Sequence, residues 1–173
     1  MNYSTLHETN PCIYVANLGA YNAGRLVGKW LDLTTFKDKD ELQEAVDKVA
    51  NYLGSIYGDE WAIHDTSNFP DMGENPDLEK VLEVAAMIKK EGYEQVKAFL
   101  EVYSIEDLEH FEDSYQGHWD SFKEFATEYM DNCMEVPEHL EDYIDYEKFS
   151  NNLSYDYSEV DASTGGVFVF GEF

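Results

Sequence analysis

Residues 13–33 have the sequence IYVANLGAYNAGRLVGKWLDL. The runs from Ile13 to Leu18 and from Leu26 to Leu33 are mainly apolar and contain the β-branched and aromatic residues that favour strands. Two glycines and an asparagine lie between the runs, and these residues favour turns. The stretch therefore predicts a β-hairpin.

A helix and a short strand are predicted after this hairpin. Asp38 can cap the helix, because apolar residues recur at helical spacing from Leu42 to Leu53. Two glycines follow, and Trp61–Asp65 has the composition of a short strand. Residues 1–66 are therefore predicted to form a small α+β domain.

The middle section, residues 67–113, is predicted to be helical. It opens with a loop that contains proline and glycine, and from Asp77 onward apolar residues recur every three or four positions. Gly92 ends this first helix, a second helix includes Val96, and Ser104 can cap a third, short one.

The last section, residues 114–173, is predicted to be a second α+β domain. A short strand at Tyr115–Trp119 precedes a long helix from about Asp120 to Cys133 and a shorter helix pair. The runs 153–157 and 167–170 predict a closing β-hairpin. The expected fold is thus α+β with three small domains, of which the outer two contain short antiparallel sheets.

Acidity dominates the composition. The chain has 173 residues with 37 Asp and Glu against 11 Lys and Arg, a net charge of −26, yet aromatic residues make up 15%. This apolar content predicts a globular protein and not a disordered one. Such a charge destabilises a fold by self-repulsion, repels nucleic acid and anionic membranes, and attracts basic protein surfaces. Solubility and a high-salt cytoplasm are the alternative explanations.

Cysteine content and hydropathy predict the compartment. The two cysteines, Cys12 and Cys133, have no metal-ligand spacing and are expected to be free thiols. The N-terminus lacks the pattern of a signal peptide, and no run approaches the roughly 18–20 apolar residues of a membrane span. A cytoplasmic protein that makes no membrane contact is expected.

The carboxylates are concentrated in residues 101–161, which contain 19 of them and only two basic residues, Lys123 and Lys148. One face of the long helix is apolar and is expected to be core: Phe122, Phe125, Ala126, Tyr129, Met130 and Cys133. The opposite face carries an acidic stripe, which we define as Asp120, Glu124, Glu128, Asp131 and, if the helix extends that far, Glu135. Neighbouring carboxylates recur about every 5–6 Å along the axis, which suits imitation of a phosphate backbone.

Two further acidic sets flank the stripe. One follows Pro137 and comprises Glu138, Glu141, Asp142 and Asp145; the other comprises Glu106, Glu109, Glu112 and Asp113. A solvated helix face is the alternative interpretation. Repeated like charges at a spacing of four destabilise a helix, however, and lysines could have been interspersed for solubility. The three sets are therefore candidates for binding a basic protein partner.

Catalytic patterns are weaker. His64-Asp65 resembles the dipeptide of some metal phosphohydrolases but lacks further ligands at a recognisable spacing, and Cys133 with His139 lacks a third, orienting group. No calcium loop, phosphate-binding loop or nucleophile elbow occurs. We expect no catalytic residue, no metal site and no cofactor; a phosphohydrolase or an acidic ion buffer is the alternative.

Several segments resemble the ArdA antirestriction proteins. They are YVANLGAYNAG at residues 14–24, LVGKW at 26–30, EWAIHD at 60–65, EVP at 135–137, Leu140, and YIDY at 143–146. The resemblance implies an elongated homodimer of three-domain chains that mimics bent B-form DNA and inhibits type I restriction-modification enzymes, protecting mobile DNA. It also implies that the antirestriction motif of the family falls near residues 126–140, which overlaps the acidic stripe.

The predicted function is therefore that of an inhibitor whose partner is a type I restriction-modification enzyme. A mimic directed at another DNA-binding protein, such as a repressor or a nucleoid protein, is the alternative within the same class. The candidates for the homodimer contact are apolar and tyrosine residues, for which core packing is the alternative: Leu140, Tyr143, Ile144 and Tyr146.

Overall fold

The structure, a computed structural model, describes residues 9–51, 56–137, 139 and 143–173. The chain folds as two compact units, residues 1–97 and 98–173, and each contains a three-stranded antiparallel sheet. The predicted α+β class is confirmed. The division into three domains stays a prediction, because the helices predicted for residues 67–113 are divided between the two units.

The sheet of the first unit is built around the predicted hairpin. Strands β1 (Cys12–Asn17), β2 (Gly28–Asp32) and β3 (Trp61–Ser67) pair antiparallel in the order β2-β1-β3. The hairpin is confirmed, although its connection contains a short helix, α1 (Leu18–Asn22). Gly28 is required in β2, because a Cβ there would lie 2.5 Å from the Tyr14 ring.

Asn17 joins four segments of the first unit. Its side chain is buried, and its Oδ1 accepts a hydrogen bond of 2.7 Å from the backbone N–H of Ala20, which caps α1. Its Nδ2 donates to the carbonyl oxygens of Ala50 at 2.6 Å and Gly58 at 3.1 Å. The end of β1 is thereby fixed to α1 and to two segments distant in sequence.

Two helices complete the first unit. Helix α2 (Lys39–Ala50) is capped by Asp38, as predicted, and α3 (Leu78–Glu91) is capped by Asp77. Helix α2 packs on β1 and against α3, and an ion pair of 2.7 Å joins Lys39 to Asp77. The hydrogen bond from Lys39 lowers the pKa of Asp77 and raises that of Lys39. Gly92 ends α3 with φ 103°, as its position in the sequence predicts.

Short helices precede the second sheet. Helix α4 (Tyr93–Val102) is followed by a 3₁₀ helix at Ile105–His110 and by α5 (Phe111–Ser114). Ser104 begins the 3₁₀ helix as predicted, in a capping box with Asp107, whose carboxylate accepts from the Ser104 N–H at 3.1 Å.

The second sheet consists of β4 (Tyr115–Trp119), β5 (Tyr157–Asp161) and β6 (Val167–Gly171), in the order β4-β6-β5. Helices α6 (Phe122–Cys133) and α7 (Tyr146–Leu153) lie between β4 and β5 in the chain. The prediction that the first strand of the hairpin spans residues 153–157 is wrong. Leu153 is the buried last residue of α7, so the strand begins only at Tyr157.

The core of the second unit lies on both faces of β6. Val167 and Val169 pack against α6 and α7 in a cluster with Phe122, Phe125, Ala126 and Leu153. Phe170, on the alternate face, contacts Phe99 and Phe111 with ring centroids 5.8 and 6.2 Å apart. Both faces of β6 are therefore buried, which accounts for its continuous apolar sequence.

Replacement of Asn17 by alanine should destabilise the first unit strongly. The change leaves one N–H and two carbonyl groups without their hydrogen-bond partner, and the expected loss is about 2–4 kcal/mol in the free energy of unfolding. Urea denaturation followed by circular dichroism measures it. Asn132→Ala is the control, because that exposed side chain makes one hydrogen bond to Glu128. Equal midpoints for the two variants would contradict the role given to Asn17.

Candidate functional site

Helix α6 carries the central part of the acidic stripe, and its first turn is fixed by side chains. The Ser121 hydroxyl accepts from the Glu124 N–H at 3.2 Å, and the Glu124 carboxylate accepts from the Asp120 N–H at 2.9 Å. Asp120 therefore precedes the helix, whereas Glu124 lies in its first turn, where a negative charge is favourable.

The two faces of α6 differ as predicted. Phe122, Phe125, Ala126 and Met130 are buried, whereas the helix residues of the stripe are exposed. Glu124, Glu128 and Asp131 fall within about 60° of the helix surface, since successive residues advance by about 100°. The buried face anchors the helix, so three carboxylates are presented from a rigid support.

The stripe does not continue to Glu135 on the helix. Helix α6 ends at Cys133, and Met134 is already extended with φ −121° and ψ 125°. A proline clashes with the carbonyl four residues earlier in a helix, and for Pro137 that residue is Cys133. The predicted end of the helix at Cys133 is therefore confirmed. Glu135 is exposed but lies beyond the helix, so the condition under which it would continue the stripe is not met.

Cys133 is also exposed, so its prediction as a core residue is wrong. The buried face of α6 ends one turn earlier, at Met130. Both cysteines are free thiols, as predicted. Burial and the nearby Asp32 raise the pKa of Cys12 to about 11, so that its thiol stays protonated at neutral pH.

The second acidic set is described only in part. Glu138, Glu141 and Asp142 lie outside the described residues, as does Leu140 among the dimer candidates. Asp145 is exposed, and its carboxylate caps α7 by accepting from the Lys148 N–H at 2.9 Å. Of the other dimer candidates, Tyr143 is 83% exposed, whereas Ile144 and Tyr146 are half-buried.

The third set lies on the 3₁₀ helix and α5. Its four carboxylates are all exposed: Glu106, Glu109, Glu112 and Asp113. Two further exposed carboxylates, Glu159 and Asp161, occur in β5 and were not predicted as site residues. Their spacing of two, which places side chains on one face of a strand, was the available signal.

The two units differ in charge. Residues 98–173 contain 20 carboxylates and two lysines, a net charge of −18, whereas residues 1–97 contain 17 carboxylates and nine basic residues, a net charge of −8. The described residues of the first unit include lysines paired with carboxylates: Lys37–Glu41, Lys39–Asp77, Lys48–Glu44, Lys80–Glu83 and Lys90–Glu91. The second unit therefore presents the stronger negative potential.

Tyr157, which packs against α6, does not add to this charge. The Tyr157 ring packs 5.0 Å from that of Phe125 and 6.0 Å from that of Tyr129. Burial, with a smaller contribution from Tyr129, raises the pKa of Tyr157. The phenol therefore remains neutral, and the charge of this surface comes from its carboxylates.

His64 and Asp65 lie on β3 beside a shallow cavity of about 520 Å³. The His64 ring meets the Tyr21 ring edge-on with centroids 4.7 Å apart, and the Asp65 carboxylate accepts from the Thr66 N–H. Across the described residues, no three His, Cys, Asp or Glu side chains are grouped so that they could hold a metal ion.

The helices among the described residues are all too short or too polar to span a membrane.

Comparison with protein families identifies a match to this chain. A family model described as antirestriction protein (ArdA) matches residues 13–168, which is most of the chain and includes the acidic stripe. No curated protein matches the chain.

The double change Glu128→Gln and Asp131→Asn should preserve or raise the melting temperature. It removes like-charge repulsion on α6 while Glu124 keeps its capping contact, and we expect an increase of about 1–3 °C at low salt. Calorimetry at low and high salt measures it, and the difference from the parent should shrink as salt rises. A melting temperature lowered at every salt concentration would show that these carboxylates stabilise the fold.

Proposed function

Because the chain belongs to the ArdA family of antirestriction proteins, we propose that it is a DNA mimic that binds in the DNA-binding groove of a type I restriction-modification enzyme. The protein then acts as an inhibitor and not as a catalyst. It protects incoming mobile DNA by excluding that DNA from the enzyme.

The observation that carries this proposal is the acidic surface of residues 98–173. A DNA-binding groove is lined with basic groups, and a surface with a net charge of −18 has the complementary potential. Long-range attraction accelerates the encounter of such surfaces. The less acidic first unit, in which several lysines pair with carboxylates, is expected to contribute less to affinity.

The rigidity of α6 supports mimicry over simple charge attraction. The Ser121 and Glu124 contacts fix the first turn, and Phe125 and Met130 fix the buried face. Along the axis, Glu124 and Glu128 are separated by about 6 Å, and Glu128 and Asp131 by about 4.5 Å. A DNA strand also presents a regular row of negative charges, so a basic groove can engage both without rearranging.

The homodimer is part of the same proposal. Most homodimers have a two-fold axis, and two copies related by such an axis would present the acidic surface twice. The exposed ring of Tyr143, which lies beyond α6 in the most acidic part of the chain, is our candidate for this contact. Sedimentation equilibrium of the parent and of Tyr143→Ser measures whether this side chain supports association.

Another DNA-binding protein is the alternative target, because a basic groove alone does not identify an enzyme. Titration of the chain against a type I modification enzyme and against a nucleoid protein, each with fixed labelled DNA, separates the two. We expect competitive loss of DNA from the restriction enzyme. A stable complex of enzyme, DNA and this protein with unchanged DNA affinity would refute the mimic.

Neutralising the stripe should weaken inhibition. The five changes are Asp120→Asn, Glu124→Gln, Glu128→Gln, Asp131→Asn and Glu135→Gln. The expected loss of affinity is about ten- to a hundredfold, with a shallower dependence on salt, because several ion contacts disappear together. Competition binding at several salt concentrations, beside a melting curve, measures it.

The matched control removes five exposed carboxylates from the first unit: Asp40→Asn, Glu44→Gln, Asp47→Asn, Asp59→Asn and Glu79→Gln. Both variants lose the same formal charge. The proposal requires the stripe variant to lose more affinity than the control. Equal losses would mean that only net charge matters.

Asp65→Asn should leave inhibition intact. The Asp65 carboxylate accepts a hydrogen bond from the adjacent Thr66 N–H, and an amide oxygen can replace it with little change to the strand. The DNA-competition assay and an assay for metal-dependent phosphate release are run on parent and variant. The enzyme alternative would be favoured if the parent showed metal-dependent hydrolysis and the folded Asp65→Asn variant had lost both hydrolysis and inhibition.

A further inference from the structure

A groove in the first unit, distinct from the acidic surface, lies between β2 and α2. It has a volume of about 770 Å³, and Leu31 and Val49 form part of its buried floor. Phe36 lines one side, and Leu26, which is 85% exposed, lies at its mouth. A volume of this size and a largely apolar lining are typical of small-ligand sites.

The charge of the groove is opposite to that of the protein. Its charged lining residues are Lys29 and Lys48, and none of its described lining residues is a carboxylate. The Lys48 Nζ lies 3.0 Å from the Glu44 carboxylate, and Glu44 does not line the groove. Lys29 forms no ion pair with the described residues. Carboxylates outnumber basic residues by 37 to 11 in the chain, whereas both charged residues that line the groove are lysines.

We propose that this groove binds a small amphiphilic anion, with an apolar body over Leu31 and Val49 and an anionic head group at Lys29 and Lys48. The apolar body gains from leaving water, and the floor that it covers is already largely formed. The ammonium groups orient the head group toward the rim. A neutral amphiphile would lack the second contact, and a short anion would lack the first.

Octanoate is a suitable probe. Its addition to the full chain should shift the methyl resonances of Leu26, Leu31 and Val49 saturably in carbon–proton correlation spectra. Octan-1-ol and acetate should each bind at least about tenfold more weakly, because each retains one of the two contacts. Octanol that binds as tightly as octanoate, or shifts spread over both units, would overturn the proposal. The proposal would also be overturned if the methyl resonances of the groove shifted with protein concentration in the absence of octanoate. A second copy of the chain would then be the occupant of the groove.

Charge reversal separates the groove from general charge. Lys29→Glu with Lys48→Glu should weaken octanoate binding about tenfold or more, whereas Lys89→Glu with Lys90→Glu, which changes the formal charge equally, should not. A melting curve shows whether the first variant folds. If it does not, Ala45→Glu, which places a carboxylate on the groove wall, is the second test and should also weaken octanoate binding. Unchanged octanoate affinity in the folded groove variants would overturn the proposal. DNA competition by these variants should equal that of the parent, so this result is independent of the proposed inhibition.

Discussion

Mutual repulsion among the carboxylates of residues 98–173 is the constraint that the second unit must satisfy. A net charge of −18 on 76 residues opposes compaction, so burial elsewhere in the unit has to offset it. The aromatic packing on both faces of β6 supplies this burial, since each aromatic side chain removes about 150–250 Å² from water. The large core and the large surface charge are therefore linked requirements.

The same constraint determines where the charges can lie. A carboxylate is tolerated at a helix N-terminus or in full contact with water, and the acidic residues that the structure describes in this unit occupy such positions. Glu124 lies in the first turn of α6 and Asp145 caps α7, whereas Glu128 and Asp131 face solvent. The inner face of α6 keeps only apolar residues. The carboxylates of α6 and the buried residues of its inner face are thus separated by less than one helix diameter. Because the inner face is packed, the helix backbone that carries the carboxylates is held in place.

Sequence patterns identified most elements because the deciding interactions are local. Asp38, Ser104 and Gly92 act within a few residues of their own helix ends. The errors arise where a distant or competing contact decides. Leu153 fits a strand pattern but packs in the core as the end of α7. Cys133 fits the apolar face of α6 but is exposed, because the buried part of that face ends at Met130. The helical period does not show where the packing contacts of a helix stop.

The acidic face of α6 was predictable, whereas the groove between β2 and α2 was not. The face depends on residues three and four apart, so the helical period alone brings them together. The groove brings Lys29 near Lys48 through the packing of a helix on a sheet, and no short motif joins them. Asn17 is a similar case, because its partners at residues 50 and 58 are known only once the chain has folded. A protein whose most visible feature is its charge therefore contains a second, oppositely charged feature that sequence spacing does not reveal.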